Sequence, residues 1–364
     1  MGNKISIRDI AAETGYSAAT VSNVLNNKGN VGAKATQAIL DAIDRMGYRR
    51  RGGIDHITFV VARRNGKAVD SRPFHPAVIE GLEAAARKAS LRVSLSILNL
   101  DDNTNLRRQI NELRQDPHGS LVVLATEMTT DDDYALFDGC ECPLVFVDGW
   151  SERLPFDTIS IANESAAYRA ATHLVACGHQ HIGYIGLDFR IRNFPLRERG
   201  FNRALHDVDL ELRDEDRLLV DPNPTLAAGQ ISDWAKASKD LPTAIFCDND
   251  TIAAAAVRGL SDVSVSVPGD VSVIGFDDQD VCRLITPQLT TMRVPKQLMG
   301  RLAVESIRHQ IDEGPGHEPI AAQVHASLLE RESVRKILPG QTNTFSPKRD
   351  GPARIGGSVP FSRG

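Results

Sequence analysis

The chain has 364 residues, 41% hydrophobic and 24% charged, an ordinary soluble globular composition with length for two or three separately cored domains. Its net charge of −5 excludes a protein that is basic throughout, and no stretch is apolar and long enough for a signal h-region or a bilayer span. A cytoplasmic protein with no membrane partner is expected, and its odd count of five cysteines fits reduced thiols.

Charge is unevenly placed. Residues 1–53 carry eight Lys/Arg against four acids, a net +4, which leaves −9 for the rest. A basic head on an acidic body is the footprint of a protein that meets phosphate only through its head. Within the head, SIRDIAAETGYSAATVSNVL (6–25) predicts two short helices, Ile7–Glu13 and Ala18–Leu25, around Thr14-Gly15-Tyr16. Ser6 and Asp9 make a capping-box pattern for the first helix, and Ser17 can cap the second. Ile7, Ile10, Ala11, Val21, Val24 and Leu25 fall at helical spacing but are too few for a core. A third helix over Ala33–Met46, with Ala35, Ile39, Ala42, Ile43 and Met46 on one stripe, completes it. The pattern is that of a helix-turn-helix, whose second helix enters the DNA major groove; an αα-hairpin of no special function shares it.

Residues 49–56, opening with Arg49-Arg50-Arg51-Gly52-Gly53, read as a basic flexible linker after a head of residues 1–48. From there short apolar strands alternate with amphipathic helices. Strands are expected at Ile57–Val61, Val93–Leu98, Leu121–Leu124, Leu144–Val147, Thr158–Ile161, Ile182–Ile185, Ala244–Cys247 and Val271–Ile274. Helices are expected at Pro76–Ala89, Asn105–Gln115, Glu164–Cys177, Leu196–His206, Thr225–Ala237, Thr251–Leu260 and Lys296–Ile311. This alternation predicts an α/β core of two doubly wound parallel-sheet subdomains, with ligands at the carboxyl ends of the strands. Residues 339–364, rich in Pro, Gly, Ser and Arg, read as a disordered tail without the heptads a coiled-coil tetramer needs.

Several segments together resemble the lac-repressor (LacI) family of transcription regulators. They are ISIRDIAAETGYSAATVSNVLNN and AILDAIDRMGY in the head, and HLVACGHQHIGYIG, RERGFNRAL, PTAIFCDNDTIAAAAVRGL, VPGDVSVIGFDD and PQLTTMRVP in the body. The resemblance runs from Ile5 to Glu332 and implies a DNA-binding head on a periplasmic-binding-protein-like core. It also implies a homodimer, an operator on double-stranded DNA, and a small-molecule effector, usually a sugar or related metabolite, in the cleft. The core then spans residues 57–338. Its N-subdomain is expected at about 57–162 and 293–325, its C-subdomain at about 163–292 and 326–338.

Matched to the family's positions, Ala18, Ala19 and Asn23 face base edges, while Thr20, Ser22 and Asn26 hold phosphates. The two alanines offer only apolar contacts, such as with a thymine methyl, and Asn23 suits adenine where the family commonly has an arginine for guanine. Thr20 and Ser22 also suit helix capping or back-bonding. The family's minor-groove hinge helix, of the form Asn-x-x-Ala-x-x-Leu, has no counterpart between Tyr48 and the first strand. Less DNA bending is therefore expected, with Arg49, Arg50 and Arg51 either along phosphate or in solvent. For the effector, the resemblance carries over Arg197, Asn249 and Asp277, with Asp148 from the opposing lobe. Phe74 and Trp150 are candidate stacking faces, and Asn249 and Asp277 are equally suited to capping.

No catalytic constellation, cofactor motif or metal set stands out: no GxGxxG or P-loop follows a strand, Cys140-Glu141-Cys142 lacks a second pair, and His179 and His181 read as structural. The expected function is an effector-controlled transcription repressor, not an enzyme. The alternative is a cytoplasmic sugar-binding or sugar-processing protein with an incidental helical head.

Overall fold

In a computed structural model, residues 7–25, 31–46, 54–65, 74–102, 104–314 and 317–338 are described. The head is three helices: α1 (Ile7–Thr14), α2 (Ala18–Leu25) and α3 (Ala33–Met46). Ile10, Val21, Ile39 and Ala42 are wholly buried between them, with Ile7, Ala11, Tyr16 and Val24 packed around. Gly15, at φ +73°, turns the chain out of α1, a conformation that costs a residue without Cβ little. Ser17 then caps α2, its hydroxyl accepting from the Thr20 amide at 3.0 Å.

The first lobe of the body is a six-stranded, all-parallel sheet in the order β11-β5-β4-β3-β1-β2. Its strands are β1 (His56–Arg63), β2 (Arg92–Asn99), β3 (Gly119–Leu124), β4 (Leu144–Val147), β5 (Asp157–Ile161) and β11 (Ala321–Val324). The second lobe repeats the plan as β12-β10-β9-β8-β6-β7, parallel except where β12 runs against β10. There the strands are β6 (Ile182–Leu187), β7 (Arg217–Val220), β8 (Ala244–Cys247), β9 (Ser272–Asp277), β10 (Thr290–Arg293) and β12 (Ser327–Leu329). In both sheets the order reverses beside the first strand, and at such a point the carboxyl ends of neighbouring strands diverge and leave a crevice. The chain passes between lobes three times: after β5, after β10, and between β11 and β12.

Two helix pairs bind the layers closely. In the first lobe α4 (Phe74–Lys88) lies on α12 (Lys296–Glu313), and a Cβ on Gly81 would stand 2.1 Å from the Gln297 carbonyl oxygen. Near the crossing between lobes, α7 (Asn163–Ala176) lies on α8 (Asn193–His206), where Gly200 meets the backbone of Glu164. α4 and α8 begin earlier than their periodicity predicts, α4 with Pro76 inside its first turn and α8 with Pro195, whereas α12 begins at the expected Lys296. A proline there forfeits only an amide that has no helical partner.

Four strands escape the sequence pattern. β7 is four residues at a sheet edge, and β11 and β12 join their sheets from far along the chain. β10 reads Thr-Thr-Met-Arg, too polar for a buried strand, yet Thr290 and Thr291 are fully buried with their hydroxyls engaged. Thr291 donates to Asp250 at 2.5 Å, and Thr290 accepts from the Arg331 amide at 2.9 Å. The expected linker is also one residue shorter, since His56 already pairs with Arg92. Ser6, Asn26, Arg49, Arg50, Arg51 and the expected tail lie outside the described residues, as does the side chain of Phe74.

Candidate functional site

The carboxyl ends of β4, β5, β8 and β9 each deliver a polar residue to the same buried region. Asp148 follows β4, Asn163 follows β5, Asp248 follows β8, and Asp277 closes β9. All four are at most 5% exposed. Asp148 and Asp277 sit at φ +60° and +109°, and Asp278 at +53°. Non-glycine residues in that region are strained, and such positions cluster at ligand sites.

Arg197, from the middle of α8, is 2% exposed and the largest fully buried side chain among the described residues. Its guanidinium carbon stands 3.7 Å from the centroid of the Phe276 ring. Its Nε donates to Asn163 Oδ1 at 2.8 Å, one Nη donates to the Asp248 carbonyl, and the other reaches Asp277 Oδ1 at 3.3 Å. The fork is thus filled by protein oxygens. A small molecule that used it would displace one of these three.

The bonds continue outward from Arg197 in one direction. Asn163 Nδ2 donates to Asn193 Oδ1 at 3.1 Å, and Asn193 Nδ2 donates to Asp148 Oδ1 at 2.9 Å. Thr126 Oγ1 donates to the other Asp148 oxygen at 2.7 Å. A guanidinium can only donate and an ionised carboxylate can only accept, so the two ends fix how both asparagine amides are turned. This chain crosses between lobes, since Asn193 opens α8 and Asp148 follows a strand of the first sheet. Arg192 adds a second crossing, donating to the Thr129 carbonyl and to Asp131, both at 3.1 Å. These polar contacts bridge the lobes beside an apolar cluster that runs from Phe59 in the first sheet to Phe246 in the second.

Burial dominates the titration of the site. It pushes Asp148 up to about 6 even though Thr126, Arg197 and Asn193 favour the carboxylate. It pushes Asp250 up to about 7, with Asp277 adding repulsion. Asp248, which accepts from Tyr184 and from Arg190, is raised for the same reason of burial.

Of the expected effector residues, the structure brings Arg197, Asp277 and Asp148 into one network. Asn249 is buried beside it, but its carboxamide oxygen caps α10 (Asp250–Ser261), accepting from the Ile252 amide at 2.9 Å. Trp150 is half-buried two residues beyond Asp148, with its backbone against the Tyr134 hydroxyl. Asn163 and Asn193 were missed by sequence reasoning; an asparagine directly after an apolar strand, as in Ile161-Ala162-Asn163, was a usable signal. Arg192 gave none, because its partners lie 61 and 63 residues away along the chain.

In the head, Ala18 and Ala19 are exposed at the start of α2, and Thr20, Ser22 and Asn23 are half-buried. The Thr20 hydroxyl lies 2.8 Å from that of Ser17, so it takes part in the cap. His179 bonds Thr243 and the Arg335 carbonyl, and His181 bonds Asp216, each a contact within the second lobe.

Comparison with known proteins matches two separate stretches of the chain. Residues 6–51 match the lacI family of bacterial regulatory proteins, and residues 171–334 match a periplasmic binding protein-like domain. The HTH-type transcriptional repressor PurR of Actinobacillus pleuropneumoniae serotype 3 is 28% identical over 336 residues, covering 91% of this chain and 99% of the relative. PurR of Photobacterium profundum is also 28% identical, over 338 residues with the same coverage. Among solved structures, a complex of the transcriptional regulator CelR with cellobiose aligns with TM-score 0.68 at 24% identity, covering 90% of this chain and 99% of that one. The lac repressor dimer bound to operator and the anti-inducer ONPF aligns with TM-score 0.67 at 21% identity, covering 92% and 100%.

Proposed function

We propose that this chain, a lacI-family helix-turn-helix head followed by a periplasmic-binding-protein-like core, is a transcription repressor whose grip on an operator is set by a small molecule in the cleft between its lobes. The observation that carries this reading is the pairing itself, head and core in one order, matched over nine-tenths of this chain and 99% of a relative that is a repressor by name. The protein acts in the cytoplasm as a homodimer, and among the described residues no helix is long and apolar enough to cross a membrane. Leu95 and Ile97, 61% and 56% exposed on the edge strand β2, are the proposed core of the dimer face.

In the head, Ala18, Ala19 and Asn23 meet base edges and Thr20 and Ser22 meet phosphate. In the core, Arg197, Asp277 and Asp148 hold the effector, a sugar or sugar derivative whose hydroxyls exchange for the asparagine contacts around them. Binding alters how the lobes are latched, which changes the spacing of the two heads and their match to a near-palindromic operator.

Gel-shift titration over a range of salt tests the first part; loss of sequence-specific binding at moderate ionic strength contradicts the repressor reading and favours a sugar-binding protein. Footprinting then tests Asn23, because Asn23→Arg should move preference toward guanine at one position. A thermal-shift screen over sugars, sugar acids and purines, repeated with Arg197→Ala, tests the cleft. A ligand whose shift survives that substitution refutes the placement of the site.

A further inference from the structure

Cys140 and Cys142 lie in the loop between α6 (Asp131–Ala135) and β4, with their sulfur atoms 3.2 Å apart and both half-buried. They line an open cavity of about 720 Å³ together with Ile54, Arg114, Asp116 and His317. Ile54 is the first described residue of the expected linker, so this cavity opens where the linker reaches the core. Gly139, at φ +67°, precedes the pair, and a Cβ there would stand 3.1 Å from Arg114 Nη2. That guanidinium therefore sits against the cysteine loop. The other three cysteines, Cys177, Cys247 and Cys282, are buried in the second lobe.

We propose that Cys140 and Cys142 form a redox-active dithiol that a peroxide converts reversibly into an intrachain disulfide. The two sulfurs need to close by about 1 Å to reach bonding distance, within the give of a loop that a glycine opens. Cys140 is the attacking sulfur: the hydrogen bond from the Cys142 thiol and the charge of Arg114 bring it down to about 7, against burial. Cys142 is pushed far up by that same bond and by burial, so it keeps its proton and resolves. In the first step the Cys140 thiolate attacks one peroxide oxygen. The O–O bond breaks, hydroxide leaves and takes a proton to become water, and Cys140 becomes a sulfenic acid. In the second, the Cys142 sulfur attacks Cys140 sulfur, the S–O bond breaks, and hydroxide leaves with the Cys142 proton as a second water. Two thiols and one hydrogen peroxide give one disulfide and two waters; two electrons pass from sulfur to oxygen. A disulfide across one intervening residue is constrained, which keeps it open to reduction by small thiols.

The test treats the full chain with hydrogen peroxide, then counts thiols after denaturation and maps them by mass spectrometry. Five thiols should fall to three, with the tryptic peptide that holds both cysteines lighter by about 2 Da and restored by dithiothreitol. That peptide should oxidise at least about tenfold faster than those of Cys247 and Cys282. Cys142→Ser should trap a sulfenic acid on Cys140 that dimedone labels, Cys140→Ser should label at neither position, and Arg114→Gln should slow the wild-type reaction. The proposal is overturned if both thiols remain free, if they pair between chains, or if the buried cysteines react as fast. Because the first measurement uses the unaltered protein, misfolding of a variant cannot rescue or sink it.

Discussion

The one-way hydrogen-bond chain from Arg197 to Asp148 makes a quantitative prediction for Asn193→Leu. The side chains are close in size, but leucine neither accepts from Asn163 nor donates to Asp148. Asn163 Nδ2 keeps the Ile161 carbonyl at 3.2 Å, so that side of the cut is mild. Asp148 keeps only Thr126 on its other oxygen and loses a bond to a charged acceptor, which contributes about 1.5–3 kcal/mol when the carboxylate is ionised. The neutral acid loses less, roughly 0.5–1.5 kcal/mol.

The pH dependence follows from where Asp148 titrates. Its folded value of about 6 stands above the ordinary 3.8, so the folded protein binds this proton more tightly than the unfolded chain does. The stability linked to it is fully present below about pH 4 and is lost as pH rises through about 6, a passage of about 3 kcal/mol. Removing the Asn193 donor raises the folded value further, which deepens the loss at high pH. Urea unfolding should therefore show Asn193→Leu destabilised by about 1 kcal/mol at pH 5 and about 3 kcal/mol at pH 8. Equal losses at the two pH values would mean that Asp148 is not ionised in the latched protein, and the directional chain would fail with it.

Three further outcomes are expected. Gly81→Ala and Gly300→Ala each drive a methyl to 2.1 Å from a backbone oxygen of the facing helix, so α4 and α12 must separate; unfolding should show about 3 kcal/mol lost for either. Ser17→Ala removes the cap of α2 at a cost of about 1 kcal/mol, and hydrogen exchange at the Thr20 amide should quicken about fivefold. The pair Leu95→Asp with Ile97→Asp places charge on the exposed face of β2, and sedimentation should then find a monomer at concentrations where the unaltered protein forms the proposed dimer.

Much of this architecture was legible because the two periodicities differ so plainly. Leu144–Val147 and Ala244–Cys247 are unbroken apolar runs, short enough and closely enough flanked by turn residues to suit strands covered on both faces, and both fall where the pattern put them. The head was legible for the opposite reason: its three helices are amphipathic and end on turn residues such as Gly15. The unread parts depend on partners far along the chain. Thr290–Arg293 looks like a loop until Asp250 and Arg331 are known to meet its hydroxyls. Asn249 shows the same limit within the site. Its residue type fits a ligand contact and a cap equally well, and the meeting of its carboxamide oxygen with the Ile252 amide is not visible in the sequence.

The same geometry says what kind of molecule can compete for the proposed cleft. Arg197 presents donors and Asp148 presents acceptors, and the two asparagines between them each accept from one side and donate to the other. A group that replaces either asparagine contact must do both at once, and a hydroxyl does, whereas a carboxylate only accepts and an ammonium only donates. A carboxylate could take the Asp277 position on Arg197, but it would then stand beside Asp277, Asp148 and Asp250 in a site where burial already disfavours negative charge. Neutral polyols therefore fit the proposed site better than acidic sugars. In the thermal-shift screen a sugar acid should bind more weakly than its parent sugar at pH 8, and the gap should narrow toward pH 5 as Asp148 and Asp250 take up protons. A sugar acid that outbinds its parent at pH 8 would show that Arg197 faces the ligand free of its present carboxylate neighbours.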